Sequence, residues 1–311
     1  MESVKELDRQ AYVLDQQGDY AEAILLLQRA LEISEKMLGP DHIDIVDRLD
    51  NLAIVCERLG QFEKAVPLFQ RALAICLEVH GPEHAATAAS LDHLACSYKN
   101  SGQYEKALSL YQRVVAIRVV MKPVHVDTAN DLMNLAGVYQ ALGHFEQAVQ
   151  LYQRALSMNE EVLGAEHDRT ALAMNGLAHV YEILGQYDKA LPLYQRALVI
   201  CENIGSETYA TSTSLNDLAV LYQTLGQYEQ ALPMFQRVLA LREKVHGPDH
   251  YATASSLNKL ASLYATLGQY DTAQPLYQRA LVFCEKHLGP DHPLNIANRE
   301  NLAELYENLG Q

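Results

Sequence analysis

One phrase, Gly-Gln-Tyr/Phe-x-x-Ala-x-Pro-Leu-Tyr-Gln-Arg-Ala-Leu, recurs along the chain at intervals of forty-two residues. Its opening glycine stands at Gly18, Gly60, Gly102, Gly143, Gly185, Gly226, Gly268 and Gly310, and two of the seven steps are one residue shorter. A fixed period of this size specifies a stack of supersecondary units, each burying its apolar face on its neighbours. An ordinary globular chain of 311 residues would divide into about two domains. The repeat instead predicts one quasi-linear domain over 1–311.

Within a unit the apolar residues follow the helical period. Leu257, Leu260, Ala261 and Tyr264 fall at i, i+3, i+4 and i+7, one face of a helix that Gly268 can stop. A second segment, Tyr270 to Leu288, repeats the pattern through Ala273, Leu276, Tyr277, Ala280 and Leu281. Pro275, near its sixth residue, is expected to bend the first turn or lie close to the helix start. Gly289-Pro290-Asp291-His292 then closes the unit, with Asp291 as candidate cap for the next helix. The predicted hairpins are 1–42, 43–84, 85–125, 126–167, 168–208, 209–250 and 251–292, followed by a terminal helix over 293–311. Two junctions, Met121–His125 and Asn203–Thr208, lack a residue and the Gly-Pro-Asp-His sequence, as a tolerated loop deletion would.

Side-chain usage obeys the same plan. Fifteen of the eighteen tyrosines fall in three columns of the repeat; Tyr12, Tyr209 and Tyr251 do not. An aromatic stripe that keeps both the helical spacing and the repeat is core. Ala53, Ala95, Ala136, Ala178, Ala219, Ala261 and Ala303 form a column of small residues, which lets helix backbones approach closely.

Composition excludes several functions. Acidic residues outnumber basic ones, 39 against 24, for a formal charge of −15. Nucleic-acid backbones and anionic membranes require clustered Lys and Arg, so neither is expected as a partner. Cys56, Cys76, Cys96, Cys201 and Cys284 form no C-x-x-C pair and read as reduced residues of a cytoplasmic protein. No apolar run is long enough to span a bilayer. The recurring junction histidines include the pairs His80/His84 and His246/His250, whose spacing would suit a metal on a continuous helix. A Gly-Pro interrupts each pair, and a turn histidine bonding to backbone is the simpler reading. There is no Gly-rich phosphate loop, nucleophile elbow or Cys/His constellation, so neither catalysis nor a cofactor is expected.

The run Leu-Asn-x-Leu-Ala-x-Leu-Tyr-x-x-Leu-Gly-Gln-Tyr-x-x-Ala-x-Pro-Leu-Tyr-Gln-Arg-Ala-Leu, which ends at Leu281, resembles the tetratricopeptide repeat. That repeat is usually about thirty-four residues long. The longer unit here, with its Leu-Gly-Pro-Asp-His junction, is similar to the kinesin light chain class. It is also similar to arrays in bacterial and fungal signalling proteins. The resemblance implies an all-α, right-handed superhelical solenoid of antiparallel helix pairs, about fifteen helices in all.

It also implies that the first helix of each pair lines a concave groove for an extended peptide or protein segment. Carried onto this chain, the groove columns give Asp50, Asn51, Asp92, Asn130, Asn134, Asn175, Thr213, Asn216, Asp217, Ser255, Asn258 and Lys259, with His179 one turn beyond Asn175. An asparagine carboxamide both donates and accepts, so a ladder of them can grip a peptide backbone. The same asparagines can instead be copies of one ancestral residue or bond between repeats. The kinesin light chain groove is basic and takes acidic cargo. Here the first two repeats set Asp8, Asp15, Asp47, Asp50 and Glu57 against Lys5, Arg9 and Arg58, which points to a ligand with a basic residue at that end.

First-type helices number eight and second-type helices seven. Arg299, in a column otherwise apolar, fits a polar cap on the last helix, whereas Gly310-Gln311 begin another copy of the phrase, as a longer array would. The functional expectation is a non-catalytic interaction scaffold. The alternative is a sensor module controlling a catalytic domain of a larger protein. Nothing in the repeat specifies an oligomeric state.

Overall fold

The computed structural model describes residues 4–205, 209–289 and 292–309. Among these it contains fifteen α-helices and no strand. The first eight are α1 (Val4–Gln17), α2 (Tyr20–Leu38), α3 (Val46–Arg58), α4 (Phe62–His80), α5 (Ala85–Asn100), α6 (Tyr104–Met121), α7 (Val126–Ala141) and α8 (Phe145–Leu163). The remainder are α9 (Asp168–Ile183), α10 (Tyr187–Asn203), α11 (Tyr209–Thr224), α12 (Tyr228–His246), α13 (Tyr251–Thr266), α14 (Tyr270–His287) and α15 (Pro293–Leu309). A short 3-10 turn, Ile43–Ile45, leads into α3. The chain forms two compact units, Met1–Val162 and Leu163–Gln311. No described helix is long and apolar enough to cross a membrane.

Odd- and even-numbered helices are the first and second helices of the repeat. Each pair closes through the glycine of the recurring phrase. Gly60 has φ +71°, and the N–H of Gln61 donates to the Cys56 carbonyl at 3.0 Å, which satisfies a carbonyl that the helix end would leave open. Pro67, Pro192, Pro233 and Pro275 lie inside second helices, which continue past them with the rings outward.

The junctions between pairs depend on two side chains. Histidine, not aspartate, is the N-cap. Nδ1 of His42, His84, His125, His167, His250 and His292 accepts the N–H two residues on, at 3.1–3.2 Å. Pro290 and Asp291, the turn and cap expected from the sequence, lie outside the described residues. A threonine three residues after the histidine reaches back to the preceding helix end. Thr87, Thr170 and Thr253 donate to the carbonyls of Gly81, Gly164 and Gly247 at 2.7–2.8 Å. The shortened junction at 121–125 keeps both bonds: His125 caps α7, and Thr128 donates to the Lys122 carbonyl at 2.7 Å. The second shortened junction lies partly outside the described residues.

The core of each unit is the set of columns read from the sequence. Phe69, Tyr111, Tyr194 and Phe235 are fully buried, each worth roughly 1.5–3 kcal/mol of transfer free energy. The alanines at 53, 95, 136, 178, 219 and 261 are completely covered; Ala303, on α15, is exposed. The Gln-Arg of the recurring phrase joins successive pairs in both directions. Gln70, Gln112, Gln195 and Gln236 donate forward to the hydroxyls of Tyr98, Tyr139, Tyr222 and Tyr264 at 2.7–2.9 Å. Arg71 and Arg279 reach back to Glu35 and Glu243 at 2.5 and 2.6 Å, and Arg237 reaches Glu202 in the same way.

Candidate functional site

Every side chain expected in the groove lies on a first helix, and within each unit several of them reach the neighbouring first helix. In the first unit Asp50 of α3 is 9 % exposed and its Oδ2 lies 3.0 Å from Nδ1 of His93 on α5. This bond, stronger than the opposing effect of burial, holds the His93 imidazole above its ordinary pKa. One helix further on, Lys99 of α5 donates to Asn134 Oδ1 of α7 at 3.4 Å. Burial raises the Asp92 carboxyl above the carboxylate range, against the pull of His93, Arg118, Lys99 and a hydrogen bond from Asn134. Asn51 is exposed and Asn130 half-buried.

In the second unit the asparagines bond sideways between repeats. Asn175 of α9 donates to Ser214 Oγ of α11 at 2.7 Å. Lys259 of α13 donates to Asn216 Oδ1 at 2.9 Å, and Asn216 Nδ2 donates to Asp217 at 2.9 Å. Asn301 of α15 donates to Asn258 Oδ1 at 3.3 Å. Burial raises Asp217 and lowers Lys259, and each opposes the other's shift. Thr213 and Ser255 are half-buried, and His179 is exposed. The structure thus brings together Asp50 with His93, Asp92 with Asn134, and Asn216 with Asp217 and Lys259. One end of each carboxamide at 175 and 258 is committed to a neighbouring helix, and both ends of Asn134 are.

The acidic bias of the first two repeats is smaller than composition implies. Arg58 holds both oxygens of Asp15 at 2.6 Å, Arg48 lies 3.3 Å from Asp8, and His93 takes Asp50. Arg48 escaped the sequence reading because most repeats carry a small residue, Ser90, Ala173, Ser214 or Ser256, in its column. The same column holds a second exception. Cys76 and Ser90 meet at 3.2 Å, and Cys201 and Ser214 at 3.7 Å, but α6 and α7 place Arg118 and Asp131 there, with Nε and Oδ2 3.2 Å apart. Asp131 is 4 % exposed, and burial, reinforced by Asp92, pushes its carboxyl up to about 7. The break in column was the only signal in the sequence.

Several acceptors on these helices receive no donor from the protein: Oδ1 of Asp8, Asp50 and Asp92, Oε1 of Glu57, and Oδ1 of Asn175. Glu57 shows the cause. Tyr194 donates its hydroxyl to Glu182 at 2.9 Å, but at the corresponding place beside Glu57 stands Phe69, which has none. Reactive groups are scarce on the same face. Burial raises the pKa of all five thiols, so none is poised as a thiolate. No group of three or more His, Cys, Asp or Glu among the described residues could hold a metal ion. His80/His84 and His246/His250 stack at 4.4 Å between ring centroids, with His84 and His250 occupied as caps. Arg299 is exposed, 3.5 Å from Glu285 on α14.

The sequence model of the tetratricopeptide repeat family matches residues 6–78, 45–118, 127–203, 210–286 and 257–311. A Podosopora anserina protein classed as a kinesin light chain, with nearly identical TPR-like repeats, is 27% identical over 65% of this chain and 97% of its own, with a TM-score of 0.59. A STAND signal-transduction ATPase from Pyrococcus horikoshii, with a tetratricopeptide repeat sensor, is 17% identical at a TM-score of 0.68, over 99% of this chain and 45% of that one. A Rap protein complexed with competence and sporulation factor is 18% identical, at a TM-score of 0.63, over 97% and 76% of the two chains. No curated protein matches the chain.

Proposed function

The chain belongs to the tetratricopeptide repeat family, and on that premise we propose that it is a non-catalytic scaffold whose first-helix faces bind an extended peptide or protein segment. The observation that carries this reading is the set of first-helix acceptors without donors, on Asp8, Asp50, Glu57, Asp92 and Asn175. An uncompensated acceptor costs about 1–3 kcal/mol. The N–H groups of an extended chain supply the missing donors once these side chains turn outward. Half-used carboxamides such as Asn175 and Asn258 offer the complementary end. The free state of all five cysteines supports a cytoplasmic site of action.

The test is binding of the full chain to an array of short synthetic peptides, repeated with an Asn175→Ala/Asn258→Ala variant and with Val199→Ser, which alters an exposed side chain on a second helix. Loss of about tenfold in affinity in the first variant alone supports the reading. Equal binding by all three proteins moves the site off this face.

A second reading, a sensor segment of a larger signalling protein, has in its favour the fold shared with the STAND ATPase, of which a match to nearly all of this chain spans under half. It predicts that the bound peptide changes the activity of an attached catalytic domain, measurable only in a protein that carries one.

A further inference from the structure

The first helix pair departs from the other six at one core position. Leu27 stands where the later second helices carry Phe69, Tyr111, Tyr152, Tyr194, Phe235 and Tyr277. With the smaller side chain the hollow between α1 and α3 is about 220 Å³. At the equivalent place between α13 and α15, floored by Tyr277, the hollow is about 170 Å³.

Its walls are chemically mixed. Leu27, Ile54 and Val55 make an apolar channel, and Tyr12 joins them with 66 % of its surface exposed. Tyr12 is one of the three tyrosines outside the core columns, so the packing of the repeat does not require it. Two carboxylates, Asp8 and Asp15, one guanidinium, Arg58, and the uncharged Ala11, Gln16 and Asn51 complete the lining. Arg58 is committed to Asp15 at 2.6 Å. Arg48, outside the lining, lies 3.3 Å from Asp8 Oδ2, and Asp8 Oδ1 has no donor. Burial holds the Asp8 carboxyl above its usual range in spite of Arg48.

An apolar channel, an aromatic face and an acceptor lacking a donor together fit one kind of group: a long aliphatic stem that ends in a cation. We propose that the hollow between α1 and α3 receives a lysine or arginine side chain of the bound peptide. The stem lies along Leu27, Ile54 and Val55, and the Asp8 carboxylate, whose Oδ1 is covered in the free chain, turns to meet the cation beside the Tyr12 ring. The proposal rests on the peptide-binding reading above and adds the residue class that one end of the ligand must carry.

The experiment uses the full chain and synthetic peptides of a Ser/Thr/Asn/Leu background, with lysine, arginine, norleucine or glutamate walked through each position. The expected result is one position at which lysine or arginine binds about tenfold or more tighter than norleucine, the size of a charge-assisted hydrogen bond. That preference shrinks as salt is raised. It collapses toward unity in Asp8→Asn, in Tyr12→Ser, and in Leu27→Tyr, which puts a ring where the stem would lie without removing charge. Thermal melts confirm that each variant is folded. If peptides bind but lysine and norleucine are equivalent, if glutamate is preferred, or if the folded variants keep the lysine preference, the pocket assignment falls while groove binding stands. If no peptide in any arm binds, both fall together.

Discussion

Gln195 on α10 donates to the hydroxyl of Tyr222 on α11 at 2.9 Å, across the boundary between two helix pairs. Tyr222 is only 8 % exposed, and this glutamine is a partner of its hydroxyl. Tyr222→Phe is expected to cost about 0.5–1.5 kcal/mol, the net worth of one such bond. Denaturant melts of the variant check it, and the loss should be absent when the same change is made in a Gln195→Leu background.

Ala190 is completely buried at the crossing of α10 with its partner first helix. Ala190→Leu forces extra carbon atoms into a closed contact and is expected to cost about 1–3 kcal/mol. A thermal melt matching the parent would contradict the close approach.

Asp131 makes the fold sensitive to pH. In the unfolded chain its carboxyl releases its proton near 3.8; in the folded chain burial and Asp92 hold the proton to about 7, although Arg118 pulls the other way. Between these values the folded state binds more protons, so this group's contribution to stability falls as pH rises and levels off above about 7. Asp131→Asn should flatten that part of the stability profile, measured by chemical denaturation across the range.

His250 acts in the opposite sense. It caps α13 through a neutral Nδ1, and burial with neighbouring His246 and Arg242 lowers its pKa below 6.5. Its contribution is complete above that value and declines as pH falls toward the lower folded pKa. His250→Asn keeps the cap without titrating, so it should remove part of the acid-side loss. His250→Ala should cost about 0.5–2 kcal/mol at pH 8.

Much of this architecture is legible in the sequence because it repeats. Fifteen helices, their glycine stops and the aromatic and alanine columns follow from residues that recur in register. What escapes is the lateral pairing. Asn216 presents the same carboxamide whether it faces a ligand or a neighbour, and only the reach of Lys259, forty-three residues away, commits it to the neighbour. The junction histidines do bond to backbone, as read from the sequence, and the acceptor is Nδ1, which meets the N–H two residues on. Arg48 and the Arg118–Asp131 pair depart from columns in which small residues are the commonest, and a repeat read as an average hides them.

The Gln-Arg pair has a consequence for how such a chain can grow. The copies with Gln70, Gln112, Gln195 and Gln236 carry a donor for the hydroxyl of the copy ahead, and those with Arg71, Arg237 and Arg279 a cation for a carboxylate of the copy behind. Duplication or loss of one whole period among such copies therefore regenerates these donors with their acceptors at the new seam. The length of such an array can drift by recombination without a misfit, while the residues between the first helices diverge toward new ligands.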